Sequence, residues 1–84
     1  MEEKIDVRLI LESQGSPKEK VEESLRHLVE ELEKQDKCKV YDKKFQETTE
    51  SDEFFSSLVD VGCKFSDFEN LFSIVLNFGP SAII

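Results

Sequence analysis

Residues 59–72, VDVGCKFSDFENLF, carry two periodicities side by side. Val59, Val61, Cys63 and Phe65 alternate with Asp60, Gly62 and Lys64, the period of two of a strand with one buried face. After Ser66 the spacing changes. Phe68, Leu71, Phe72, Val75 and Leu76 recur at three and four residues, which predicts a helix. SDFE between the two reads as a capping box: Ser66 accepts from the Glu69 amide while the Glu69 carboxylate reaches back. The parity places Cys63 on the inward face, beneath whatever layer covers the sheet.

Extended upstream, the same alternation sets Phe55 and Ser57 inward and Phe54, Ser56 and Leu58 outward. Downstream, Gly79 and Pro80 stop the helix, and SAII is left as a short last strand. At the other end KIDVRLILE, residues 4–12, alternates Ile5, Val7, Leu9 and Leu11 against Asp6, Arg8, Ile10 and Glu12, a second half-buried strand. SPKE follows as a second capping box, Ser16 with Glu19, and Pro17 sits at the first helical position. The helix it opens bears a narrow stripe of Val21, Leu25, Leu28, Val29 and Leu32 and should run to about Gln35. CKVYDKKF, residues 38–45, reads as an edge strand. Val40 and Phe45 have opposite parity there, and a bulge between them reconciles the two. QETTESDE, residues 46–53, reads as an acidic turn.

The order is β-α-β-β-α-β. Two right-handed crossovers of that order predict an α+β ferredoxin-like sandwich, a four-stranded antiparallel sheet with both helices on one face. Eighty-four residues make one domain, 1–84.

Charge narrows the function classes. A net charge of −8 repels phosphate backbones and anionic lipid, which argues against nucleic acid and membrane partners. An RNA-binding sheet of this fold needs aromatic rings on its central strands, and the outward positions here hold Asp6, Arg8, Asp60, Gly62 and Lys64. The start MEEKIDVR has no leader character. Two cysteines, Cys38 and Cys63, lack metal-ligand spacing and fit a reducing cytoplasm. Cys63 has no base beside it, and the single histidine, His27, lies off the apolar stripe of its helix. No nucleophile–base pair can be assembled, so no catalytic residue, cofactor or metal is expected. The carboxylates Glu47, Glu50, Asp52 and Glu53 lack the pattern of a calcium loop.

Two features point to interaction. The second helix carries Ile74 and Phe78 beside its main stripe, so its apolar arc covers about 200° of the wheel, more than one sheet can bury. On the open sheet face, Ile10, Phe54 and Leu58 point outward, and Tyr41 can join them to form an exposed apolar patch. The leading expectation is a non-enzymatic interaction or assembly module, a homodimer through the open face or the second helix. The alternative is a small-ligand or anion sensor at the first strand–helix loop, where Gly15, Ser16 and Lys18 adjoin helix amides.

GSPKEKVEESLRHLVEELE, VDVGCKFSDFENLF and the closing FGPSAI, above all Phe78-Gly79-Pro80-Ser81, together resemble a group of uncharacterised archaeal proteins. The resemblance implies a cytoplasmic archaeal protein with a further carboxy-terminal part that covers these surfaces, and it assigns no site residues.

Overall fold

In a computed structural model that describes residues 5–84, the elements are β1 (Ile5–Gly15), α1 (Lys18–Glu33), β2 (Cys38–Phe45), β3 (Thr49–Ser51), β4 (Phe54–Phe65), α2 (Phe68–Phe78) and β5 (Ala82–Ile83). The expected first strand residue, Lys4, lies outside the described residues. All strand pairs are antiparallel, in the order β2-β4-β1-β5, with β3 pairing the start of β4.

The long β1–β4 ladder decides which side chains face the helices. It runs without a break from Ile5 opposite Phe65 to Gly15 opposite Phe55, so odd positions face odd positions throughout. Leu9, Leu11, Val59, Val61, Cys63 and Phe65 are buried together with Leu25, Val29 and Leu32 of α1 and Leu71 and Ile74 of α2. One sheet face is therefore covered by both helices. Each fully buried Leu or Val contributes about 1.5–3 kcal/mol relative to exposure, which makes this layer the main source of stability.

Five differences from the sequence reading have physical causes. The sheet has five strands, not four: Thr49–Ser51, read as part of a turn, pairs with Phe54–Ser56 around a two-residue turn at Asp52 and Glu53. Asp52 takes the left-handed conformation there, φ 57°. A three-residue strand with no buried side chain leaves no hydrophobic alternation to read.

The capping box at Ser16 does not form. Pro17 occupies the N-cap position and no side chain caps α1; the Pro17 carbonyl accepts from the amides of Lys20 and Val21 instead. The second cap is shifted by one residue: Asp67, not Ser66, is the N-cap, and its carboxylate accepts from the Asn70 amide at 2.9 Å. α1 ends at Glu33, two residues short of Gln35, in a tight last turn where the Gln35 amide reaches the Leu32 carbonyl. The first strand continues past Glu12 to Gly15, because β4 supplies partners that far.

Two other features follow the sequence. The register of β2 on β4 shifts between Val40 and Asp42, a bulge at Tyr41 that lets both Val40 and Phe45 pair on the inward parity, opposite Cys63 and Val59. Gly79 closes α2 in the left-handed conformation, φ 54°, with its amide on the Val75 carbonyl.

Candidate interaction surface

The uncovered sheet face is charged where it meets the middle of the ladder. Arg8 Nε donates to Asp60 Oδ1 at 2.7 Å, and Arg8 Nη2 donates to Asp42 Oδ2 at 2.9 Å. The bulge aims Tyr41 across the sheet, where its hydroxyl donates to Asp6 Oδ1 at 2.6 Å and Lys64 Nζ lies 5.3 Å from its ring centroid. Gly62 makes room for this: a Cβ there would lie 2.8 Å from Tyr41 Cζ and 2.9 Å from Arg8 Nη1. The hydrogen bonds that Asp42 and Asp60 accept hold the Arg8 guanidinium charged far above any working pH, and the bond from Arg8 holds the Asp42 carboxyl below its usual value. The bond to Asp6 pushes the Tyr41 phenol up. The donors and acceptors of this group are turned toward one another.

This arrangement divides the apolar patch expected on that face. Ile10 lies opposite Asp60 and Leu58 opposite Glu12, so those two are diagonal neighbours. Phe54 sits four residues beyond Leu58, about 13 Å along the strand at 3.3 Å per residue, next to the β3 hairpin. Tyr41 lies in the opposite direction, over Gly62 and engaged with Asp6. The four side chains do not form one surface: the Arg8 ion pairs separate Tyr41 from Ile10 and Leu58, and Phe54 is set apart by its distance along the strand.

α2 shows the stronger anomaly, on residues other than those expected. Ile74, assigned to an outer surface, is only 4% exposed in the core, and Phe78 packs against the core edge. The inward stripe is Leu71, Ile74, Val75 and Phe78, spaced i, i+3, i+4, i+7. Phe68, Phe72 and Leu76 are left outside at 63%, 61% and 84% exposure. The rings of Phe68 and Phe72 lie 6.4 Å apart, as one stripe. A sequence signal for this side does exist: residues 70–84, NLFSIVLNFGPSAII, hold no charged residue in a chain where 36% are charged.

At the first strand–helix corner Gly15 has φ 147°, a conformation that side chains rarely adopt, so backbone geometry alone requires glycine. Ser16 and Lys18 are exposed beside it. The two thiols, Cys38 and Cys63, are free and buried on neighbouring strands, and Cys63 Sγ donates to the Val61 carbonyl at 3.9 Å. Their contact and then burial push the Cys63 thiol well above its usual value. Among the described residues no cluster of three or more His, Cys, Asp or Glu is arranged to hold a metal, and no helix is long and apolar enough to cross a membrane.

Against known proteins, the model of one family, the MJ0538 family, matches residues 6–84. No curated protein and no solved structure matches the chain.

Proposed function

Since the chain belongs to the MJ0538 family, an uncharacterised family named after a Methanocaldococcus protein, we propose from its own geometry that it is a non-enzymatic interaction module which self-associates through the outer flank of α2. The observation that carries this reading is the exposed stripe Phe68, Phe72 and Leu76, the last two of them inside the uncharged segment 70–84. Large apolar side chains grouped on a surface mark a contact that excludes water. Charge selects the face. Two copies of a chain carrying −8 repel each other, and α2 carries one charged residue, Glu69. Copies approach most readily there. The charged open face, with its side chains already paired, offers a copy much less.

In this reading the architecture is a ferredoxin-like sandwich in which β3 is an added hairpin strand, and the protein is a cytoplasmic archaeal one. The strand order, the two right-handed crossovers required by it and the acidic composition support this.

Sedimentation equilibrium over a wide concentration range tests the function. A concentration-dependent dimer that Leu76→Glu dissociates, with unfolding unchanged, is the expected result. A monomer at every concentration removes the proposal.

A further inference from the structure

We infer that the outer edge of β5 pairs antiparallel with the β5 of a second copy, joining the two sheets into one and laying the outer flank of α2 against its counterpart. This rests on the self-association proposed above and specifies its geometry.

The hydrogen bonds of β5 leave one residue facing outward. Arg8 and Ile84 exchange both backbone bonds, at 3.0 and 2.9 Å, and Ile83 lies opposite Leu9 as the next pair. A residue in that position of an antiparallel ladder turns its N–H and C=O away from the strand it pairs with. β5 is last in the strand order, so among the described residues nothing meets those two groups.

The two edges of the sheet are built differently. β2, at the other edge, has a bulge at Tyr41 and the lysines Lys39, Lys43 and Lys44, devices that discourage a strand from adding there. Residues 79–84, GPSAII, have no charge and no bulge. Among the described residues the β5 edge carries neither the bulge nor the lysines.

The apolar flank of α2 is on that same side. The right-handed crossover from β4 to β5 carries α2 over β1, on the β5 side of α1. Around the wheel, Asn70, Ser73 and Asn77 flank the buried stripe on one side and Phe68, Phe72 and Leu76 on the other. The right-handed turn of the helix directs the second set away from α1, above the β5 edge. Ile83, opposite Leu9, projects to the same face of the sheet.

Area requires both parts. A buried aromatic side chain covers about 150–250 Å², so three partly exposed side chains fall short of the roughly 800 Å² per partner of a stable interface. The edge with Ile83 extends the contact. A two-fold axis through β5 sets the strand antiparallel to its own copy, so one short segment serves both partners.

Sedimentation of the unaltered chain, Ile83→Pro and Phe72→Asp, together with exchange of the Ile83 amide, tests the inference. Proline at residue 83 removes an N–H that has no partner among the described residues and requires an extended Ala82, which β5 already provides. The expected result is a dimer with a slowly exchanging Ile83 amide, weakened about tenfold or more by Ile83→Pro, as the loss of two symmetric backbone bonds implies. Monomer unfolding should be unchanged, and Phe72→Asp should also dissociate the dimer. A dimer indifferent to Ile83→Pro, with a rapidly exchanging Ile83 amide, overturns the edge pairing and leaves the helix-mediated reading standing. A dimer indifferent to Phe72→Asp overturns the helix contact, and a chain monomeric at all concentrations overturns both.

Discussion

Arg8 donates to Asp60 at 2.7 Å across the ladder, on the sheet face that no helix covers, and reaches Asp42 on the edge strand with its other nitrogen. One guanidinium thereby ties three strands together. Its fork geometry suits two carboxylates at once, which a lysine could not match. The acidic excess of the chain is here turned to structural use.

This pairing predicts a defined acid response. Arg8 holds the Asp42 carboxyl below its usual value. A depressed carboxyl contributes stability that is present in full above the unfolded value, about pH 4, and is lost as pH falls through the folded one. Replacing Arg8→Met should lower the melting temperature near neutral pH. That deficit should shrink as pH falls from about 4 through the depressed folded value, below which the carboxyl is protonated in both proteins. Thermal melts of the two from pH 3 to 7 check it. A deficit independent of pH would assign Arg8 a packing role only.

The α2 start separates two neighbouring residues. Asp67 caps the helix through the Asn70 amide, and Ser66 precedes it without that bond. Asp67→Ala should cost about 1 kcal/mol, the usual loss for an N-cap. Ser66→Ala should stay within roughly ±0.5 kcal/mol, as for ordinary surface positions. Urea unfolding of both variants measures the difference, and equal losses would return the cap to Ser66.

How far the sequence could be read depended on whether a pattern had one inward direction. The strands did: Asp60 and Lys64 cannot face an apolar layer, so the parity of Val59, Val61, Cys63 and Phe65 was settled, and the ladder follows it. α2 did not. With apolar residues over so wide an arc, either Leu71-Ile74-Val75-Phe78 or Phe68-Leu71-Phe72-Val75 could have faced the sheet. Docking on the sheet chose the first. The Arg8 group was illegible for another reason, since it depends on where the β2 bulge turns Tyr41, and no local propensity specifies that position. Both interface assignments that failed, Ile74 and the joined open-face patch, failed on these two points.

The choice made by α2 can be tested with a matched pair of truncations. Leu25 is fully buried between α1 and the sheet, whereas Leu76 lies on the outer flank. Leu25→Ala should destabilise by about 2–5 kcal/mol, the range for a large-to-small change in a core. Leu76→Ala should change monomer stability by less than about 0.5 kcal/mol. Unfolding is to be compared at concentrations where the chain is monomeric. A large loss from Leu76→Ala would place that side chain in the core.

The thiols should behave as core residues. Cys63 is held protonated by its interaction with Cys38 and by burial, and both side chains are nearly inaccessible. Only a thiolate attacks a disulfide reagent, and it must be reachable. In native buffer at neutral pH neither cysteine should react faster than the chain unfolds, while in urea both should react at once. A single fast-reacting thiol in the native protein would instead identify Cys38, whose interaction with Cys63 lowers its value, as a reachable thiolate.

Salt distinguishes the two surfaces through which copies could meet. An interface built on the open sheet face would rest on Arg8, Asp42, Asp60 and Lys64, and salt would weaken it by screening attraction between opposite charges. An interface on α2 and β5 contains almost no charge, so the main electrostatic term between two copies is repulsion between net charges of −8. Screening at an ionic strength of about 0.15 M confines that repulsion to about 8 Å, and at 1 M to about 3 Å. Raising salt over this range should therefore tighten the dimer, helped further by the strengthening of apolar contacts that sulfate produces. The dimer constant from sedimentation in low salt, in concentrated sodium chloride and in sodium sulfate should improve in that order. A constant that worsens with salt would move the contact to the Arg8 face and away from Phe72 and Ile83.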